Sequence, residues 1–394
     1  MSERYTSSEK EYTAIKNKLT NENNSLRQEI SRLNQNPIDN SNNLYLFNHY
    51  FYKNEPKINN IEEIKDEQKY MTFENIYYSI WCMLTLNQIN YNENGKNINL
   101  NLVAMGNSKG IYLINLNTKK IHQFINESST LYSLCQFKDN SKYLIGSLSS
   151  GHIVIYILKD KYYEFIQKIQ KPLELQSGEI NKVISLSNGD LAAADRNSIS
   201  IWKQKKEEKN NKIDEFELFK EIITGNDTCN LIEVNPNICS TYRDGLVKIF
   251  KKEIIDYKLL GTLNNIKSHG ENSNAMERLN DRLFCLGGKS YMVYVISIEP
   301  IQLIQIIILD NYAFGNITSL HMSYNGFLFI SYNKNIIQFK IIYDEMNNFV
   351  EMEKLDIINN KYKGSEAFVT TDDGKIFYQI DANKTQFCLL SYKI

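Results

Sequence analysis

Residues 236–250 read Pro236-Asn-Ile-Cys-Ser-Thr-Tyr-Arg-Asp-Gly-Leu-Val-Lys-Ile-Phe250. A Pro-Asn turn signal opens the stretch, and an apolar strand, Ile238-Cys-Ser-Thr241, follows. Asp244-Gly245 breaks it, and Val247-Lys-Ile-Phe250 resumes as an alternating strand. Asp-Gly joins strands tightly because glycine takes left-handed backbone angles and Asp bonds its own turn. Alternation filled by β-branched and aromatic types marks a strand with one buried face.

This hairpin recurs along most of the chain. The alternating strand returns as Ile111-Tyr-Leu-Ile114, Ile153-Val-Ile-Tyr156, Ile199-Ser-Ile-Trp202, Tyr291-Met-Val-Tyr294 and Ile336-Ile-Gln-Phe339, successive copies lying 42 to 48 positions apart. The strand before it recurs as Leu102-Val-Ala-Met, Tyr143-Leu-Ile-Gly, Asp190-Leu-Ala-Ala, Leu283-Phe-Cys-Leu and Phe327-Leu-Phe-Ile, most copies preceded by Asn-Gly, Asp-Asn or Asn-Asp. Inner strands are expected ahead of these, near 79–84, 132–137, 181–186, 230–234, 275–279 and 318–322. A seventh unit follows in Glu366-Ala-Phe-Val-Thr370, Lys375-Ile-Phe-Tyr-Gln-Ile380 and Gln386-Phe-Cys-Leu-Leu-Ser-Tyr392, one strand short. Lys69-Tyr-Met-Thr-Phe73 supplies the missing outer strand, so that the ring closes without open edges.

Repeats of this length, in the order outer, inner, middle and third strand, resemble WD40 repeats. Ser200-Ile-Trp202 and Asp244-Gly-Leu-Val-Lys-Ile-Phe250 resemble the family's Asp-x-x-[Ile/Val]-x-Ile-Trp ending, while the opening Gly-His pair and the Trp-Asp dipeptide are absent. The resemblance covers residues 69–394 and implies an all-β fold, a seven-bladed β-propeller acting as a non-catalytic scaffold for other proteins. The blade count rests on periodicity.

The propeller is expected to be preceded by an amphipathic α-helix in residues 1–37. Ser8-Glu-Lys-Glu11 fits a capping box. Tyr12, Ile15, Leu19, Leu26, Ile30 and Leu33 form one apolar stripe, and Asn36-Pro37 ends the run. About 26 helical residues span roughly 39 Å. Such a stripe needs a partner: a short coiled coil with another protein, a weak homodimer, or the propeller itself. A helix before seven blades is also similar in layout to the G-protein β subunit. Residues 38–68 read as a linker, in which Leu44-Tyr-Leu-Phe-Asn-His-Tyr-Phe-Tyr52 is aromatic enough to need a packing surface.

Composition narrows the chemistry. Lys plus Arg is 45 and Asp plus Glu 46, a formal net charge of -1. No basic excess exists to neutralise phosphate, so nucleic acid is not an expected partner. No apolar run approaches the ~18 residues of a membrane helix. The six cysteines are far apart without metal spacing and read as free thiols in a reducing, cytoplasmic setting. His49, His122, His152, His269 and His321 are scattered over different elements, and His321, flanked by apolar residues, reads as a core histidine. Trp202 reads as packing. No phosphate loop, dinucleotide fingerprint or nucleophile elbow is present, so no catalytic residue, metal or cofactor is expected. The Phe-Arg-Arg-Gly motif of phosphoinositide-binding propellers is absent too. A propeller enzyme would need acids, His or Ser gathered at the central channel.

One arrangement points to recognition. In this family the turns between middle and third strands share a face with those before the inner strands. The first set carries Lys109, Arg196, Arg243, Lys289 and Lys334, with Tyr242 and Tyr332 beside them. The second carries Glu74, Glu127, Glu179, Asp227, Glu271 and Glu366. Arg and Tyr are common interface anchors. The expectation is an acidic or phosphorylated peptide docked on this face, with Arg196 and Arg243 as bidentate clamps. The opposing reading is that the acids neutralise the bases locally. The charged stretch 203–212 is expected at the opposite face as a solvated loop.

Overall fold

Strands of three to eleven residues hydrogen-bond to their sequence neighbours and build seven four-stranded antiparallel sheets. The computed structural model describes residues 69–391, apart from 74–75, 77–78, 88, 94–95, 139–140, 173–177, 206–214, 254–255, 265, 267–274, 289–290, 310–315, 324–325, 333–334, 345–348, 360–366, 372–374 and 380–385. The expected N-terminal helix and linker lie outside the described residues, as do Glu74, Glu271, Lys289, Lys334, Glu366 and most of 203–212.

The hairpin that opened the reading forms the middle of blade 4. Ile238 faces Phe250 and Thr241 faces Val247, with Thr228–Val234 inside and Tyr257–Leu263 outside. Blade 7 joins the two ends of the described chain. Phe368–Thr370, Lys375–Gln379 and Gln386–Ser391 are completed by Lys69–Thr72, whose Lys69 faces Leu389. The expected closure is thus present, and Phe73 adds an edge-on contact with Phe387 at 5.3 Å between ring centres.

Each sheet is buried on both faces, and its core is shared. Seven apolar clusters each draw on two neighbouring blades, including blade 7 with blade 1 and blade 6 with blade 7. Between blades 2 and 3, for instance, Phe137, Tyr143 and Ile155 pack against Val183, Leu191 and Trp202. Trp202 is therefore packing, as expected, and its indole donates to Ser200 Oγ at 3.0 Å. The inner strands Cys82–Thr85, Leu131–Gln136, Ile180–Ser185, Thr228–Val234, Ala275–Arg278, Ile317–Met322 and Phe368–Thr370 touch their neighbours in a closed ring and line a central channel.

Several features were not expected. Blade 1 carries an extra hairpin, Ile89–Glu93 with Lys96–Leu100, between its inner and second strands. Its inner strand also begins at Cys82 rather than 79, because the ladder starts only after Trp81 has bonded the Gly106 carbonyl. The outer strands share a second device. In six blades the pairing to the third strand skips one residue, namely His122, Ile166, Phe219, Leu260, Ile304 and Leu355. A bulge twists an outer edge away from foreign strands. The extra residue has no place in the regular pleat, and Phe219, Leu260 and Leu355 are accordingly exposed. Lys203 and Gln204 belong to the third strand of blade 3 rather than to a loop, the Lys203 ammonium lying 3.4 Å above the Phe219 ring.

Candidate functional site

The turns expected on one face carry their charges in pairs. In blade 3, Arg196 lies 3.7 Å from Glu179, both exposed; in blade 4, Arg243 lies 3.2 Å from Asp227. Glu127 instead accepts the Tyr156 hydroxyl, and its backbone amide donates to the carbonyl of exposed Lys109. The acids do sit beside the bases. An exposed ion pair is worth about 0–1 kcal/mol, however, so an incoming anion meets little resistance.

The Arg196 turn is rigidly mounted. Asp195 is buried and accepts the Asn197 and Ser198 amides at 3.0 and 2.8 Å. Its carboxylate is paired with buried Lys171, which also bonds Ser198 Oγ and Glu221 at 2.6 and 2.8 Å. An ion cluster this deep fixes the direction in which the neighbouring Arg196 leaves the surface. The Arg243 turn relies on Gly245, whose φ of +84° is a left-handed angle. Asp244 accepts the Leu246 amide at 3.1 Å.

Tyr242 and Tyr332 do not join this surface. Tyr242 is fully buried, its hydroxyl accepting from Ser240 Oγ at 2.8 Å and its ring carrying the Lys248 ammonium at 4.7 Å. Tyr332 packs in the core shared by blades 5 and 6. Each is the last residue of a second strand and still belongs to the ladder, so its side chain lies between sheets rather than in the turn.

Other aromatic residues take their place. In blades 2, 3, 4 and 6 the inner strand is bulged at its first turn, and the skipped residues are Tyr132, Asn181, Cys229 and Thr318. All four are part-exposed at the face end of the inner strands, where a bulge redirects a side chain. Trp81 holds the matching place in blade 1, is 49% exposed and meets the Tyr132 ring edge-on at 6.1 Å. The Tyr132 hydroxyl donates to Glu179, and this bond adds to partial burial in raising its pKa. A continuous row therefore runs from Trp81 through Tyr132 and Glu179 to Arg196, across three blades. Ile80, Cys82 and Met83 around Trp81 make it look interior in sequence, and only the strand pairing reveals Tyr132.

The thiols and imidazoles are placed as follows. All six cysteines are free; Cys239, Cys285 and Cys388 are buried, whereas Cys82, Cys135 and Cys229 are half-buried in the channel wall. Burial pushes the Cys82 and Cys135 thiols up to about 12. His321 is not a core residue: it is part-exposed on an inner strand, edge-on to Phe368 at 5.1 Å. Among the described residues no group of His, Cys, Asp and Glu is arranged to hold a metal ion.

Comparison with known proteins places this geometry in a class. No family sequence profile matches the chain, and no curated protein aligns with it. Solved structures do match. The WD40 β-propeller domain of Doa1 is similar over 83% of this chain and 98% of its own, at 12% identity and a TM-score of 0.57. A chain of the mitotic checkpoint complex is similar over 88% and 98%, at 12% identity and a TM-score of 0.61. The RRP9 WD40 repeats give 82% and 97%, at 10% identity and 0.61. The fold is thus that of a seven-bladed WD40 β-propeller, shared at identities that speak for the fold alone.

Proposed function

We propose that this propeller is a non-catalytic docking scaffold whose face between blades 1 and 4 binds an acidic or phosphorylated segment of another protein. The observation that carries this reading is the row Trp81–Tyr132–Glu179–Arg196, which links an exposed indole, through Tyr132 and Glu179, to a weakly held guanidinium on a rigid turn. An exposed tryptophan is a strong interface anchor once desolvated. A phosphate or carboxylate offers Arg196 two parallel hydrogen bonds, more than Glu179 supplies at 3.7 Å. Arg243 and Lys109 extend the basic side of the surface along the neighbouring turns. Fold similarity to proteins found in assemblies agrees with a scaffold role and does not specify a partner.

The test is panning of a degenerate library of acidic and phosphoserine peptides with the full chain. Enrichment of acidic or phosphorylated sequences is expected, and Arg196→Glu with Arg243→Glu should abolish it. Equal enrichment of basic or neutral peptides by both proteins would remove the reading.

A further inference from the structure

The central channel holds charged groups that the docking face does not use. Pairing with the second strands fixes their levels. Cys82, Ser133, Lys182, Asn230 and Ser319 face Gly106, Ser147, Ala194, Thr241 and Ser331, and so share one level near the docking face. Two residues farther along, Cys135, Glu277 and His321 face Ile145, Cys285 and Phe329 at a deeper level. Lys182, Asn230, Glu277, Ser319 and His321 are all part-exposed.

Lys182 dominates this space. Its charge acts on Cys82, Cys135, Glu277 and His321, groups on four other inner strands. Among the described residues its ammonium has neither an ion pair nor a hydrogen bond. The group best placed to neutralise it, Glu277, lies within its field but accepts a hydrogen bond from the Met322 amide instead.

We propose that the central channel binds one free oxyanion of the size of sulfate or phosphate, with Lys182 as its counter-ion and Glu277 and His321 as hydrogen-bond donors. Burial lifts Glu277 to about 8, so at neutral pH its carboxyl carries a proton. Burial together with the Lys182 charge lowers His321 to about 4, so its neutral ring keeps one N–H. The Ser319 hydroxyl adds a donor. Among the described residues the wall presents one cation, several donors and, at this level, a protonated acid, which suits an anion and repels a cation.

The groups facing Glu277 are countable. His321 comes from the neighbouring inner strand, Cys285 from the paired strand and Lys182 from across the channel. Cys229 and Glu233 lie on the other adjacent strand, and Glu233 is held by Lys138 and Ser187. Arg278, next in sequence, is turned to the Asn280 carbonyl and Asp281. Among the described residues Glu277 is therefore the group that titrates in the channel near pH 8. Above that pH it becomes an anion beside the site, and affinity is expected to fall about tenfold for each unit of interaction between the two charges. The site does not depend on the docking reading, because Arg196 and Arg243 lie in the face turns.

The experiment uses the full chain and sulfate, which stays a dianion across the pH range needed. Melting is followed against sodium sulfate, with sodium chloride at equal ionic strength as control. Subtracting Lys182→Met cancels the general stabilising effect of sulfate. The expected result is a saturating rise in wild type that Lys182→Met lacks and Lys182→Arg retains. Half-saturation should move to at least about tenfold higher sulfate between pH 7 and about pH 9, and stay put in Glu277→Gln. Identical responses of wild type and Lys182→Met, or an affinity independent of pH, would overturn the proposal. Should Lys182→Met fail to fold, selenate soaked into wild-type crystals decides: an anomalous peak in the channel supports the site, and an empty channel overturns it.

Discussion

Stability should fall as pH rises from 6.5 to 8, and Glu277 should be the cause. In the folded protein its carboxyl is lifted from 4.5 to about 8, whereas the unfolded chain releases the proton at the ordinary value. The folded state thus binds one proton more than the unfolded state throughout that interval, and stability declines with pH. His321 works in the opposite sense at lower pH. Its folded value is about 4 against 6.5, so stability is lost as pH falls from 6.5 towards 4. Between 4.5 and 6.5 the two slopes nearly cancel. Above 6.5 the imidazole is neutral in both states and Glu277 acts alone. One and a half pH units at about 1.36 kcal/mol each give about 2 kcal/mol as an upper value. Solvent reaching the part-exposed carboxyl reduces it to about 1–2 kcal/mol. Melting of wild type and Glu277→Gln at pH 6.5 and pH 8 tests this, because other titrating groups cancel in the difference. The variant should gain about 2–4 °C on wild type over that interval. A constant difference, or one that shrinks, refutes the placement of a protonated carboxyl in the channel.

Other perturbations address the frame and the face. Lys171→Met leaves Asp195 and Glu221 without their buried cation and should lower stability by about 3–5 kcal/mol, read by urea denaturation. Adding Asp195→Asn and Glu221→Gln should recover much of that loss. Gly245→Ala forces a side chain into a left-handed angle and sets its Cβ 2.5 Å from the Ile266 carbonyl oxygen. A loss of about 1–3 kcal/mol is expected in the same assay. Trp81→Ala should change stability by less than about 1 kcal/mol, since half the indole is already exposed, yet weaken binding of a selected peptide about tenfold or more.

What could be read from sequence depended on how local its signal is. Turn pairs such as Asp244-Gly245 and alternation such as Val247-Lys-Ile-Phe250 are encoded within a few residues, so the hairpins and the closure by Lys69–Thr72 were legible. The ion pairs of Arg196 and Arg243 followed from the family's turn positions. Side-chain direction near a turn was not. Tyr242 and Tyr332 sit one residue before the turn, and whether such a residue faces the core depends on pairing with another strand. The bulges that redirect Tyr132 and expose Phe219 are likewise properties of two strands together. His321 looked apolar from its neighbours, because an inner strand is buried on both faces and only its edge sees the channel. The Lys182–Glu277–His321 grouping joins blades 3, 5 and 6 and has no signature in the linear chain.

The face between blades 1 and 4 can be interrogated most directly by light-activated crosslinking in cells. A benzophenone side chain placed at position 81 reports what lies on the docking row, and one at Phe165, on the outer edge of blade 2, serves as the control surface. Partners crosslinked from position 81, absent from position 165 and lost with Arg196→Glu and Arg243→Glu, are the expected result. Partners captured from position 165 alone, or unaffected by the two arginine changes, would contradict a docking face built on Trp81 and Arg196.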